Sequence, residues 1–300
     1  MIFDQFVEMR HDVRVVGSAA SALDELLAAL DLRPDGDDRF AVESSGASAA
    51  RVFGGRLLAQ AVAGAAATVV GKEIHSLHAS FVRSGTPGAQ VKVDVTRLRD
   101  GRSVSTREVA VLEGGEPVLV AIASFGTFRD HPEFTAAAPA GPPPEAAPPL
   151  EKWAAAAASD RHWVERPLAV EMRLPEAPSF MSGMTSTSAR SHWMRLPRNV
   201  GESHSLHAAL LAYASDFFLM DMIFRAHPEE LGPGRANGFS LDHSIWFHRP
   251  VRFDGWLRHT QEAVALVGDR GLARGAIHDS AGRLIASVAQ EVLLRLGDSG

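Results

Sequence analysis

Apolar residues return along this chain with two different periods. Between Ser18 and Leu32, Leu23, Leu26, Leu27 and Leu30 recur at helical spacing behind serine caps, so a short amphipathic helix is expected. GRLLAQAVAGAAATVV, Gly55 to Val70, is apolar almost all round and rich in alanine, as suits a helix enclosed by other structure. Strand-like stretches follow in IHSLHASFVRSG, QVKVDVTRLRDG, RSVSTREVAVLEGG and PVLVAIASFGTF. Their breaks at Asp100-Gly101 and Gly114-Gly115 predict hairpins.

The second half repeats the plan. RPLAVEMRL and SHWMRL read as strands, and SHSLHAALLAYASDFFLMDMIFR as one long apolar helix. GFSLDHSIWFHRP, WLRHTQEAVALVG, RGLARGAIHD and RLIASVAQEVLLR then read as strands. Laid on each other, the halves match Arg83 with Arg249, Arg107 with Arg274 and Gly115 with Gly282, at offsets of 166, 167 and 167 residues. Three matches at nearly one offset indicate an internal duplication. Each copy is a long helix followed by an antiparallel meander able to curl around it, a stable two-layer arrangement, so the expected class is α+β. Six of the 17 prolines fall between Pro139 and Pro149. That composition predicts an extended linker over 131–159, separating a first unit at 1–130 from a second at 160–300.

Composition narrows the function. A length of 300 residues with 46% hydrophobic and 22% charged side chains fits two packed globular units. The net charge of −6 argues against a nucleic-acid partner, which needs a basic surface. The absence of cysteine removes disulfides, thiolate chemistry and Cys-ligated zinc, and fits a reducing cytoplasm. No apolar run approaches the roughly 20 residues of a membrane span. The opening MIFDQFVEMRHD carries no signal-peptide pattern, so a cytoplasmic location is expected. No G-x-S-x-G is present, and GPGRANG follows a helix instead of a strand, so neither a nucleophile elbow nor a dinucleotide loop is indicated. His75 and His78, His204 and His207, and His243 and His248 lie close in sequence, but none continues into a carboxylate motif, so no metal site and no cofactor are expected.

The segment Gly238 to Pro250 carries the most suggestive chemistry. If extended, it puts Asp242, Ser244, Trp246 and His248 on one face and Leu241, Ile245 and Phe247 on the other. A carboxylate beside a tryptophan is either a working base or a strand-entry group satisfied by backbone N–H groups. Gln290, in an otherwise apolar strand, is either half-exposed or placed to hold a water. Gly54 and Gly55 make a turn into a helix, or let a ligand approach its N–H donors closely. Asp216, in YASD, reads as orienting neighbouring groups or capping a local contact. Arg83, Arg102, Arg107, Arg249 and Arg270 lie near strand ends or turns, where they are either solvated, the default, or placed to meet the phosphates of a ligand.

RVFGGRLLAQA, HSLHASFVRSG, RLRDGRSVSTREVAV, LLAYASDF, DHSIWFHRP and ASVAQEVLLR together resemble the acyl-CoA thioesterase II family, the TesB-type double hotdog enzymes. The resemblance runs in the same order from about Leu26 to Arg295 and is weakest across the linker and up to Arg195. It implies a double hotdog, hydrolysis of acyl-CoA to free acid and CoA without a covalent intermediate, and an Asp, a Thr or Ser, and a Gln around one water. Carried over, the Asp falls on Asp242 and the Gln on Gln290, while the hydroxyl position falls on Val264, a departure from the pattern. Thr260 has the right parity but lies four residues away, roughly 13 Å along a strand. On this reading Asp242 is the base, Gln290 positions the water, and Gly54, Gly55 and Trp246 bind substrate. The first-half counterparts, Ser76 and Ala123, lack these groups, which implies one site per chain. The implied partner is acyl-CoA, with homo-oligomers left open. Val264 keeps a non-catalytic acyl-CoA binder as an alternative. A hotdog enoyl-CoA hydratase is a weaker one, because its Asp and His stand five residues apart and Asp242 and His248 stand six.

Overall fold

A computed structural model describes residues 18–42, 52–129, 132–156, 167–226 and 236–296. The opening segment, Arg51, the end of the linker and most of GPGRANG lie outside the described residues.

The first helix, α1 (Ala19–Ala29), starts at a reciprocal cap between Ser18 and Ser21 and buries Leu23, Leu26 and Ala29. Two short strands follow, β1 (Arg33–Pro34) and β2 (Arg39–Val42). Helix α2 (Gly54–Ala67) is buried on most sides, as its alanine-rich composition predicts. It lies against the meander of β3 (Glu73–Phe81), β4 (Val91–Asp100), β5 (Val104–Glu113) and β6 (Glu116–Gly126). The Gln60 amide donates to the Ala29 carbonyl at 3.2 Å and ties α2 to α1.

The proline-rich stretch is not wholly extended. It contains a helix, α3 (Leu150–Ala156), and buries Ala147 and Leu150. Side chains of the second unit satisfy its free carbonyls: Trp193 Nε1 donates to Pro142, and Arg258 to Pro139 and Ala140. A proline run cannot pair as a strand, but its carbonyls still accept, and that fastens it to a neighbour.

The second unit comprises β7 (Glu171–Arg173), a single turn α4 (Ser179–Ser182), β8 (Arg190–Arg195), α5 (His204–Ser215) and α6 (Leu219–Ala226). It then runs through β9 (Ala236–Ser240), β10 (Asp242–Phe247), β11 (Leu257–Val267), β12 (Arg270–His278) and β13 (Leu284–Leu296). The expected single long helix is two helices. Phe218 adopts a left-handed conformation (φ 66°), which ends α5 at Asp216 and restarts the chain as α6. By length and apolarity the stretch 204–226 could cross a membrane, yet it is mostly buried inside the protein.

All described strands form one antiparallel sheet in the order β1-β2-β4-β5-β6-β3-β10-β13-β12-β11-β8-β7, with β9 also on β13. The two meanders join where β10 pairs with β3, Ile245 opposite Leu77. Helices α2 and α5 pack against each other on the enclosed side. This is the expected α+β double hotdog, one long sheet wrapped round two central helices.

Candidate active site

Two strands share β13. Its second half pairs with β9, Val292 opposite Ser240, and its first half with β10, Ala289 opposite Ser244. Four residue steps on one side therefore face three on the other, so one extra residue enters at Leu241. This is a β-bulge, and it reverses which residues face inward beyond it.

Ser240, His243 and Gln290 consequently share the inner face. Gln290 Nε2 donates to Ser240 Oγ at 2.9 Å, and Gln290 Oε1 lies 2.6 Å from His243 Nδ1. The other ring nitrogen of His243 is 2.9 Å from Ser215 Oγ, at the end of α5. Asp216, the C-cap of α5, completes the cluster, with its Oδ1 4.0 Å from His243 Nδ1. Its Oδ2 accepts the Gly55 N–H at 2.8 Å, from the first turn of α2. A carboxylate at a helix C-terminus faces the negative end of that helix; here the positive end of α2 compensates. Both glycines are needed for this approach. A Cβ on Gly54 would stand 2.9 Å from Asp216 Oδ2, and one on Gly55 would collide with the Tyr213 carbonyl.

Ser215, Asp216, His243 and Gln290 are buried, and Ser240 is half-buried. Burial raises the Asp216 pKa, opposed by His243, the Gly55 N–H and the Gln290 amide. The same desolvation lowers the His243 pKa, against Asp216, Gln290 and Asp242. Desolvation also raises the pKa of half-buried Tyr213, which stays a neutral phenol. The Asp216–Phe217–Phe218 turn is held from behind. Phe53 stacks on Phe217 with centroids 4.4 Å apart, Gln261 Nε2 donates to the Phe217 carbonyl at 2.7 Å, and the Arg190 guanidinium lies over the Phe218 ring.

Of the residues expected from the sequence, Gln290, Gly54 and Gly55 come together, and Asp242 does not join them. Asp242 lies opposite Ser80 on the outer face, and its Oδ1 accepts the Glu291 N–H at 2.8 Å beside the bulge. It is the backbone-satisfying carboxylate of the two readings. Trp246 shares that outer face, 39% exposed and edge-on to His78. Val264 is 48% exposed, at a register shift between Ala263 and Ala265 of β11. It does not occupy the hydroxyl position of this cluster; Ser240 does. Ser240 is the member of this cluster that sequence reasoning missed, and Asp216 was read from the sequence only as orienting neighbours or capping a local contact. One signal was available for Asp216: an acidic residue at the C-terminal end of an apolar helix opposes the helix dipole and needs a partner elsewhere. Ser240 had no such signal, since its facing depends on the bulge.

Residues 43–126 match a family described as acyl-CoA thioesterase N-terminal domain, and residues 138–294 match its C-terminal domain. Human acyl-coenzyme A thioesterase 8 is 32% identical over 282 residues, covering 89% of this chain and 88% of that one. Acyl-CoA thioesterase 2 of Haemophilus influenzae is 31% identical over 288 residues, covering 92% and 99%. Among solved structures, acyl-CoA thioesterase II TesB2 of Mycobacterium marinum superposes with a TM-score of 0.74 at 30% identity, covering 93% of this chain and 99% of that chain.

Proposed function

This chain belongs to the acyl-CoA thioesterase family and hydrolyses acyl-CoA thioesters, and from that premise we propose that Asp216, Ser240 and Gln290 hold and activate the attacking water. The observation carrying this reading is the convergence of the Gln290 amide on both Ser240 and Asp216, the carboxyl, hydroxyl and amide set that a water-activating site requires.

The steps follow from these groups. Asp216 accepts a proton from the water as its oxygen attacks the thioester carbonyl carbon, a contribution of typically ~10²–10⁴-fold. Its raised pKa makes it a stronger base than an exposed Asp. Gln290 and Ser240 orient the water along the line of attack. The N-terminal end of α2, opened by Gly54 and Gly55, is the nearest positive dipole for the developing oxyanion. The tetrahedral intermediate collapses with cleavage of the C–S bond, and the proton on Asp216 passes to the departing CoA thiolate. The products are free acid and CoA, with no covalent intermediate and no metal in the scheme.

Ser240 supplies the hydroxyl that Val264 lacks, so Val264 gives no reason to read the chain as a non-catalytic binder. The test is free-thiol release from acyl-CoAs of increasing chain length, with wild type, Asp216→Asn and Asp242→Asn compared. Collapse in Asp216→Asn alone supports the assignment, whereas collapse in Asp242→Asn alone would return the base to the outer face. A wild type that binds the panel but releases no thiol would favour the binder.

A further inference from the structure

His243 is fully buried and hydrogen-bonded through both ring nitrogens, and the proposed chemistry gives it no part. Donor counting gives it one. The amide of Gln290 has one accepting and one donating end. Asp216, as a carboxylate, can only accept, so the end of Gln290 beside it must be Nε2, which also donates to Ser240. Oε1 then faces His243 and can only accept, so His243 Nδ1 must carry a proton. In a neutral ring Nε2 is the acceptor, and the Ser215 hydroxyl, otherwise directed at the Ala212 carbonyl, can donate to it.

We infer that His243 is a positioning residue for the hydrolytic reaction: as the neutral Nδ1–H tautomer it locks the Gln290 amide with its donor end toward Ser240 and Asp216. The inference rests on the site proposed above. Without the Nδ1–H, the amide can rotate end for end. Its oxygen would then face the Asp216 carboxylate, and the water would lose a donor. The relay spans three elements, from Ser215 on α5 through His243 on β10 to Gln290 on β13. The titratable groups facing His243 are Asp216 from α5, Asp242 beside it on β10 and His259 from β11; those facing Asp216 are His243 and Tyr213.

The first test compares His243→Leu, which removes the donor, with His243→Asn, whose side-chain amide can still donate toward Gln290. His243→Leu should lower kcat roughly 10- to 100-fold with KM within about threefold, and His243→Asn should recover most of that loss. The acid limb of kcat should move to higher pH in His243→Leu, because the Gln290 amide, which lowers the Asp216 pKa by donating to it, is no longer held in place. A merely structural histidine would show no rescue and an unmoved limb. Equal loss in both variants, or no loss in either while Asp216→Asn is inactive, overturns the inference. If Asp216→Asn itself keeps turnover, the base assignment has failed and this inference falls with it. The second test needs no variant to be active: the imidazole ¹⁵N shifts of histidine-labelled wild type near neutral pH, with His243 assigned by its loss in His243→Asn. The Nδ1–H tautomer is expected. An Nε2–H tautomer or an imidazolium would overturn the inference.

Discussion

Ser240 and Asp242 stand two residues apart yet project from opposite faces of the same sheet. Ser240 accepts the Gln290 amide at 2.9 Å inside the fold, and Asp242 accepts the Glu291 N–H at 2.8 Å outside it. The extra residue between them, Leu241, divides the inner-face cluster around Gln290 from a strand contact on the outer face.

Substitution on the two faces should therefore separate activity from stability. Asp216→Asn should lower kcat at least ~100-fold. Asp242→Ala should leave kcat within a few-fold and lose about 1–3 kcal/mol of stability, because it strips the Glu291 N–H of its acceptor. Thiol-release kinetics and denaturant unfolding of both variants check this.

Asp216 also links activity to pH with a definite sign. Its pKa is raised by burial, so the rise of kcat with pH should lie above the ordinary Asp range. A carboxyl with a raised folded-state pKa contributes stability that is fully present below the unfolded value and is lost as pH climbs through the folded one. Asp216→Asn escapes that loss, so the inactive variant should melt higher than wild type at neutral pH. The difference should vanish below about pH 4, where both side chains are neutral. Melting curves across pH decide it, and an unchanged difference at low pH would show that charge burial is not the cause.

The two helix glycines should respond differently. A Cβ on Gly55 meets the Tyr213 backbone carbonyl and pushes apart the helix ends that hold Asp216, so Gly55→Ala should lower kcat more than roughly tenfold. A Cβ on Gly64, in the same helix, meets the side chains of Val93 and Val95 and no backbone. Gly64→Ala should cost about 1–3 kcal/mol by overpacking while leaving kcat close to wild type. Melting temperature and kcat measured on both variants make the comparison.

His259 and His192 lie buried against each other, ring centroids 5.1 Å apart, and desolvation holds the His259 pKa down to about 3. A histidine with a depressed folded-state pKa contributes stability present above its unfolded value and lost as pH falls toward the folded one. Wild type should weaken between about pH 6.5 and pH 3. His259→Leu should flatten that part of the curve, as urea midpoints over the same range will reveal.

Much of the fold was legible because it rests on short-range patterns. The α2 segment, alanine-rich and apolar all round, could only be an enclosed helix, and Gly114-Gly115 could only be a turn between strands. The break at Phe218 was not legible. Nothing in LLAYASDFFLMDM interrupts a helix locally; the left-handed residue is held by packing against His192, Arg190 and Phe217. The Ala/Pro stretch misled in the other direction, since its contacts lie on the second unit rather than within itself.

By itself the sequence determined two copies of a helix-and-meander unit, one set of polar groups in the second copy, and Gln290 as a member of it. Only the tertiary structure decided which carboxylate and which hydroxyl accompany Gln290. Side-chain facing in a strand is counted in twos, and a single inserted residue at Leu241, fixed by pairing with β13 some 50 residues onward, inverts the count. Asp216 meets Gly55 across 161 residues because two antiparallel helix ends abut, the positive end of one stabilising the buried charge on the other. No local pattern encodes that meeting.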